Sequence, residues 1–173
     1  MCHRKWGFAF FIYHSPAILV FLVFPVLALP TQSFQVGAII ANGCLISGTN
    51  TGVFGQINFG TYPGTSTAQV NGTYTQSSTI TLACTPNTLL NMSINGGANY
   101  TSTRNLKVSG QSYLVPYSLY NSTTNAAIPI NSNVAVSFSN ANNITLPIYG
   151  LLTLNGNNYS GLYTDTLTVT LTW

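Results

Sequence analysis

From Phe34 onward, apolar side chains recur at every second position over short runs, and helical spacing is absent. The last run, TDTLTVTLTW, places Leu167, Val169, Leu171 and Trp173 on one face and threonines on the other. Such a pattern is a half-buried β-strand, because successive side chains of an extended backbone point to opposite faces. The same reading applies to FQVGAIIANGCLI (Phe34, Val36, Ala38 and Ile40 on one face), TITLAC, LLNMSI and VAVSF, with further strands over SYLVPYSLY and ITLPIYGLLTL. Turn signals separate the runs: Asn95 to Gly97, Ser109-Gly110, Asn155 to Asn158 and Tyr62 to Gly64. Strands of this length joined by short turns predict one all-β domain, a sandwich or a barrel.

The surface of that domain is nearly free of charge. Charged residues are 3% of the chain, against about a quarter in ordinary soluble domains, so hydroxyl and amide groups must solvate it. Beyond residue 33 the charged side chains are Arg104, Lys107 and Asp165. Two cations do not make a phosphate-binding surface, and nucleic acid is excluded as a partner. Both histidines, His3 and His14, lie near the N-terminus, and Asp165 is the single carboxylate side chain. Paired-carboxylate hydrolysis, a base-activated serine and a zinc centre each need groups that this set cannot assemble. Lys107, beside VSG, reads as a solvated turn residue rather than a base, and no glycine-rich phosphate loop is present. The reading is of a non-catalytic protein with no cofactor and no metal.

Residues 1–33 read as a secretory signal, with His3, Arg4 and Lys5 preceding an apolar stretch and small residues at Thr31 and Ser33. An uncleaved membrane anchor is the alternative, because the stretch is long enough to span a bilayer. Removal of the leader takes Cys2 with it and leaves Cys44 and Cys84, an even pair in an oxidising compartment, for which a disulfide is expected.

Two strands of this chain are candidates for pairing outside their own domain. The C-terminal run lies at the end of the chain, and an edge strand presents unpaired N–H and C=O groups to another chain. The segment from Phe34 to Ile40 is a strand in search of a sheet, either as an ordinary edge strand of its own domain or as an insert beside the C-terminal edge of a second copy. A head-to-tail contact of the second kind need not close, and it builds a filament.

The elements NGC at Cys44, INFGTY, VNGTYTQSSTITLAC ending at Cys84, TRNL with Arg104, YLVPYSLYN, IYG and GLYTDTLTVTLTW, in that order, resemble the spore coat protein U domain family, which includes subunits of archaic chaperone-usher pili such as Csu pili. The chain departs from the family pattern at Leu151, where an arginine often follows the Tyr-Gly pair, and in lacking a Trp-Gly pair after the Leu-Tyr motif. The resemblance implies an incomplete immunoglobulin-like β-sandwich completed by a donated strand. It further implies three segments: a signal peptide over 1–33, a donor strand over 34–43 and a pilin domain over 44–173. Phe34, Val36, Ala38 and Ile40 would be donor side chains, Leu167, Val169, Leu171 and Trp173 the acceptor edge, and Cys44 with Cys84 the family disulfide. The implied partners are a periplasmic pilus chaperone, an outer-membrane usher and other pilus subunits. The implied destination is a cell-surface fibre, reached through the periplasm, that supports adhesion and biofilm formation. Two other classes compete. One is a small outer-membrane β-barrel, whose final strand also ends on an aromatic residue. The other is a secreted carbohydrate-binding module using Tyr62, Tyr100, Tyr113 or Tyr159.

Overall fold

The computed structural model describes residues 35–49 and 52–173, so the leader and Phe34 lie outside the described residues. Residues 39–173 form one compact unit, and the fold below is that of this unit. Eleven strands occur among the described residues: β1 (Cys44–Gly48), β2 (Gly55–Asn58), β3 (Gln69–Gln76), β4 (Ile80–Cys84), β5 (Leu90–Ile94), β6 (Arg104–Val108), β7 (Leu114–Asn121), β8 (Val134–Val136), β9 (Ile148–Thr153), β10 (Tyr163–Thr164) and β11 (Val169–Thr172). No helix occurs among these residues.

All pairings between these strands are antiparallel. A six-stranded sheet runs β10-β6-β7-β9-β3-β2, a three-stranded sheet runs β11-β5-β8, and β1 pairs with β4. The inward side chains of the large sheet (Val70, Val115, Tyr117, Leu119, Ile148, Leu152) share one core with those of the smaller sheets (Leu82, Cys84, Leu90, Met92, Ile94, Val136). This is the expected all-β sandwich: antiparallel strands bury alternate residues and leave the others to solvent. The large sheet keeps two edges, β10 and β2, and its inner face is filled by side chains, so it is not a closed barrel.

Cys44 and Cys84 are disulfide-bonded and sit opposite each other in the β1–β4 register. Thr85 extends that pairing, its N–H donating to Gly43 O at 2.8 Å. Residues 35–43 have no regular structure and form no edge strand of their own domain, strand pairing starting at Cys44. A chain with no neighbour to accept its backbone hydrogen bonds has no reason to hold a ladder.

One aromatic ring packs directly on the backbone of the large sheet. Gly72 of β3 and Gly150 of β9 are cross-strand partners, and the Phe59 ring lies over both. A Cβ at Gly72 would come within 2.6 Å of Phe59 Cε1, and one at Gly150 within 2.5 Å of Phe59 Cζ. Two adjacent glycines thus form a shallow seat for a ring that follows β2, and the ring meets Tyr117 edge-on at 5.9 Å.

Candidate functional site

The C-terminal chain crosses between the sheets, and that crossing shapes the site. Tyr163–Thr164 pairs with β6 in the large sheet, while Val169–Thr172 pairs with β5 in the small one. Asp165 fixes the passage: its Oδ2 accepts from Tyr117 OH at 2.7 Å, and its Oδ1 accepts from the Asn99 N–H at 3.0 Å and from Asn99 Nδ2 at 3.1 Å. Gly97 sits against this carboxylate with φ of 88°, where a Cβ would collide with Asp165 Oδ2. Thr168 then exchanges two bonds with Asn95, donating to Asn95 Oδ1 at 2.9 Å and accepting from the Asn95 N–H at 3.1 Å.

Arg104 is buried, at 4% exposure, behind this passage. Its guanidinium donates to Asn95 O, Ile128 O and Ile94 O, each at 2.9 Å, and to Pro129 O at 3.4 Å. Arg104 and Asp165 thus form no direct ion pair; each hydrogen-bonds to other groups. Burial pulls the Arg104 pKa down, opposed by the nearby Tyr117 and Asp165. Burial and the hydrogen bond to Asp165 push the Tyr117 phenol well above its ordinary value. Lys107 is a half-buried strand residue opposite Thr164 rather than a turn residue.

Beside the crossing lies an open groove of about 1370 Å³. Its floor is the inner face of the large sheet, with Leu106, Val115, Tyr117, Leu119, Ile148 and Leu152. One wall is the stretch from Val53 to Pro63, including Ile57 and Phe59; the other carries Leu167 and Val169 with Ile94 of β5. The pairing explains why this side stays open. β11 pairs with β5 on one flank and is the edge of its sheet on the other. The inward residues of β5, Leu90, Met92 and Ile94, are at most 2% exposed, whereas Leu167, Val169 and Leu171 of the neighbouring run stay half-buried. The core beneath β11 thus lacks a covering layer on its outer flank.

Of the acceptor residues expected from the sequence, Leu167 and Val169 line the groove. Leu171 packs against the core beyond it, and Trp173 is 59% exposed. Of the donor residues, Phe34 lies outside the described residues, and Val36, Ala38 and Ile40 are all exposed. Val36 and Ile40 are 86% and 84% exposed, and Ile39 is 98% exposed. The groove floor and the Val53–Pro63 wall were not singled out from the sequence; INFGTY, quoted above as a family element, supplies Ile57 and Phe59 of that wall. Of the tyrosines considered for sugar stacking, Tyr62 and Tyr159 line the groove. Tyr113 and Tyr159 meet edge-on at 5.0 Å, and the Tyr113 hydroxyl is used internally, donating to Asn157 O.

No curated protein sequence matches the chain. Among solved structures it is similar to a chain of the CsuC-CsuE chaperone-tip adhesion subunit pre-assembly complex from archaic chaperone-usher Csu pili of Acinetobacter baumannii, with 17% identity and a TM-score of 0.48. That similarity covers 78% of this chain and 40% of that chain. The sequence profile of the Spore Coat Protein U domain matches residues 30–170. The chain belongs to the Spore Coat Protein U domain family.

Proposed function

We propose that this protein is a non-catalytic structural subunit of a surface pilus, assembled by donor-strand complementation and exchange. The observation that carries the reading is an edge strand, β11, whose outer flank is unpaired among the described residues and borders an open groove with an apolar floor. The exposed segment from Val36 to Ile40 supplies matching chemistry, since large apolar side chains left in water favour a partner surface. Seating Val36 and Ile40 in the groove of another copy contributes about 3–6 kcal/mol, at about 1.5–3 kcal/mol for each side chain. Backbone bonds to β11 add to it by strand addition. Residues 1–33 serve as the export leader and residues 34–43 as the donor. Leu167, Val169, Leu171 and Trp173 form the accepting edge. A periplasmic chaperone lends a strand to the groove before assembly, and an outer-membrane usher passes the subunit to the fibre. The fibre then supports adhesion and biofilm formation.

The test is secretion of the full chain together with chaperone and usher proteins of a chaperone-usher system, with surface fibres sheared off and resolved without boiling. A ladder of multimers is expected, lost on the change Val36→Asp with Ile40→Asp while monomer persists in the periplasm. A monomer alone from the unaltered chain, or a ladder indifferent to both changes, overturns the reading.

A further inference from the structure

Four Asn-Gly pairs occur in the chain, at Asn42, Asn71, Asn95 and Asn155. Asn-Gly is the dipeptide in which a backbone nitrogen reaches the preceding side-chain carbonyl with least obstruction, because glycine carries no Cβ. Three of the four are restrained. Asn71-Gly72 lies within β3 and is held extended against Leu151 and Gly150. The Asn95 Oδ1 accepts two backbone N–H groups, from Gly97 at 3.1 Å and Thr168 at 2.9 Å. Asn155 is engaged at both ends of its amide, and the Gly156 N–H already donates to Ser66 O at 2.9 Å.

Asn42-Gly43 differs in each respect. It lies outside any strand, and Asn42 is exposed. Among the described residues no hydrogen bond engages the Asn42 side chain or the Gly43 N–H. A Cβ placed on Gly43 would meet no atom within 4 Å, so the surroundings leave this peptide room to turn.

We propose that Asn42 is a site of spontaneous deamidation, through which the chain modifies itself beside its disulfide-anchored first strand. The Gly43 nitrogen attacks Asn42 Cγ and forms the ring C–N bond, while the Cγ–Nδ2 bond breaks and ammonia leaves carrying the proton from Gly43. Water then opens the succinimide at either carbonyl and yields aspartate or isoaspartate, with no oxidant or reductant involved. The product places a negative charge in a chain whose one other carboxylate side chain is Asp165. The isoaspartyl form also lengthens the main chain by one methylene, between Ile40 and the Gly43 carbonyl held by Thr85. Resting on the pilus reading above, this displaces the donor segment relative to its anchor and ages a subunit out of assembly.

The test is mass mapping of the secreted oxidised protein held at neutral to mildly alkaline pH in heavy-oxygen water, with pepsin digestion in acid. A mass gain carrying the label is expected in the peptide containing Asn42, several-fold faster than at the other three pairs. It rises with pH and is slowed several-fold by Gly43→Ala, a change the open surroundings accommodate. No gain at Asn42, equal gain at all four pairs, or a Gly43→Ala variant that reacts equally fast overturns the proposal. The mass readout does not depend on strand donation, so failure of the pilus reading would leave it in place.

Discussion

Replacing Arg104 by methionine keeps most of the buried stem and removes the fork that donates to four carbonyls. Ile94 O retains the Asn131 N–H at 3.0 Å, and Pro129 O loses only a long bond. Asn95 O and Ile128 O lose the one donor seen for each among the described residues. Orphaning a buried acceptor costs about 1–3 kcal/mol, and relief of the burial penalty on the cation offsets part of two such losses. The net destabilisation is about 2–4 kcal/mol. At about 2–4 °C per kcal/mol for a domain of this size, the melting temperature falls by roughly 5–15 °C. Lysine keeps the charge but cannot fork to divergent carbonyls, so Arg104→Lys falls between methionine and the unaltered protein. Urea unfolding of the three oxidised proteins, compared at equal slope, measures this directly. A methionine variant within about 0.5 kcal/mol of the parent, the range of an ordinary surface change, would refute the carbonyl clamp; equal losses for lysine and methionine would refute the role of the fork.

The disulfide closes 40 residues of sequence, so replacing Cys44 and Cys84 by alanine removes about 4 kcal/mol by the chain-entropy relation, read as a lower urea midpoint that reductant no longer changes. Burial pushes Tyr74 up to about 12 and Tyr117 also rises, while unfolded tyrosine titrates near 10. Because the folded values are raised, the stability they contribute is fully present below about pH 10. It is lost as pH climbs through the folded values, since the unfolded chain releases its protons first. Tyr117→Phe should flatten that alkaline limb in a pH series of urea midpoints. Gly150→Ala drives a methyl into Phe59 and should cost about 1–3 kcal/mol by overpacking; in the Phe59→Ala background most of that cost should vanish, as a double-mutant cycle will show.

Alternation alone located β4, β5, β7, β8 and β9, because their apolar residues face a core that buries them on one side. It did not reveal β2, where Ile57 is the single large apolar residue. In β3 an inward position is Gly72, and the apolar group filling that space is Phe59 from elsewhere in the chain. It missed β6 because two consecutive polar residues, Arg104 and Asn105, are both buried there, Arg104 by donating to carbonyls as far as Ile128 and Asn105 by donating into the preceding loop at Asn99, Thr101 and Thr103. The C-terminal run looked continuous but changes sheets at Asp165, a break explained by the carboxylate's bonds to Tyr117 and Asn99, 48 and 66 residues away in sequence. The wall carrying Leu167 and Val169 was legible as an apolar strand face. The opposite wall of the groove was not, since Val53 to Pro63 shows little alternation and joins the site through pairing of β2 with β3.

Donor-strand assembly requires that β11 await a strand. The most direct measurement is the unfolding midpoint of oxidised protein lacking residues 34–41, with and without a synthetic peptide of residues 34–43. If the groove accepts the segment, peptide at a hundred times its dissociation constant raises stability by about 2.7 kcal/mol, and a peptide with aspartate at positions 36 and 40 does not. A midpoint indifferent to both peptides, in a domain already stable alone, would mean that the sandwich is complete without a donor and would contradict the account.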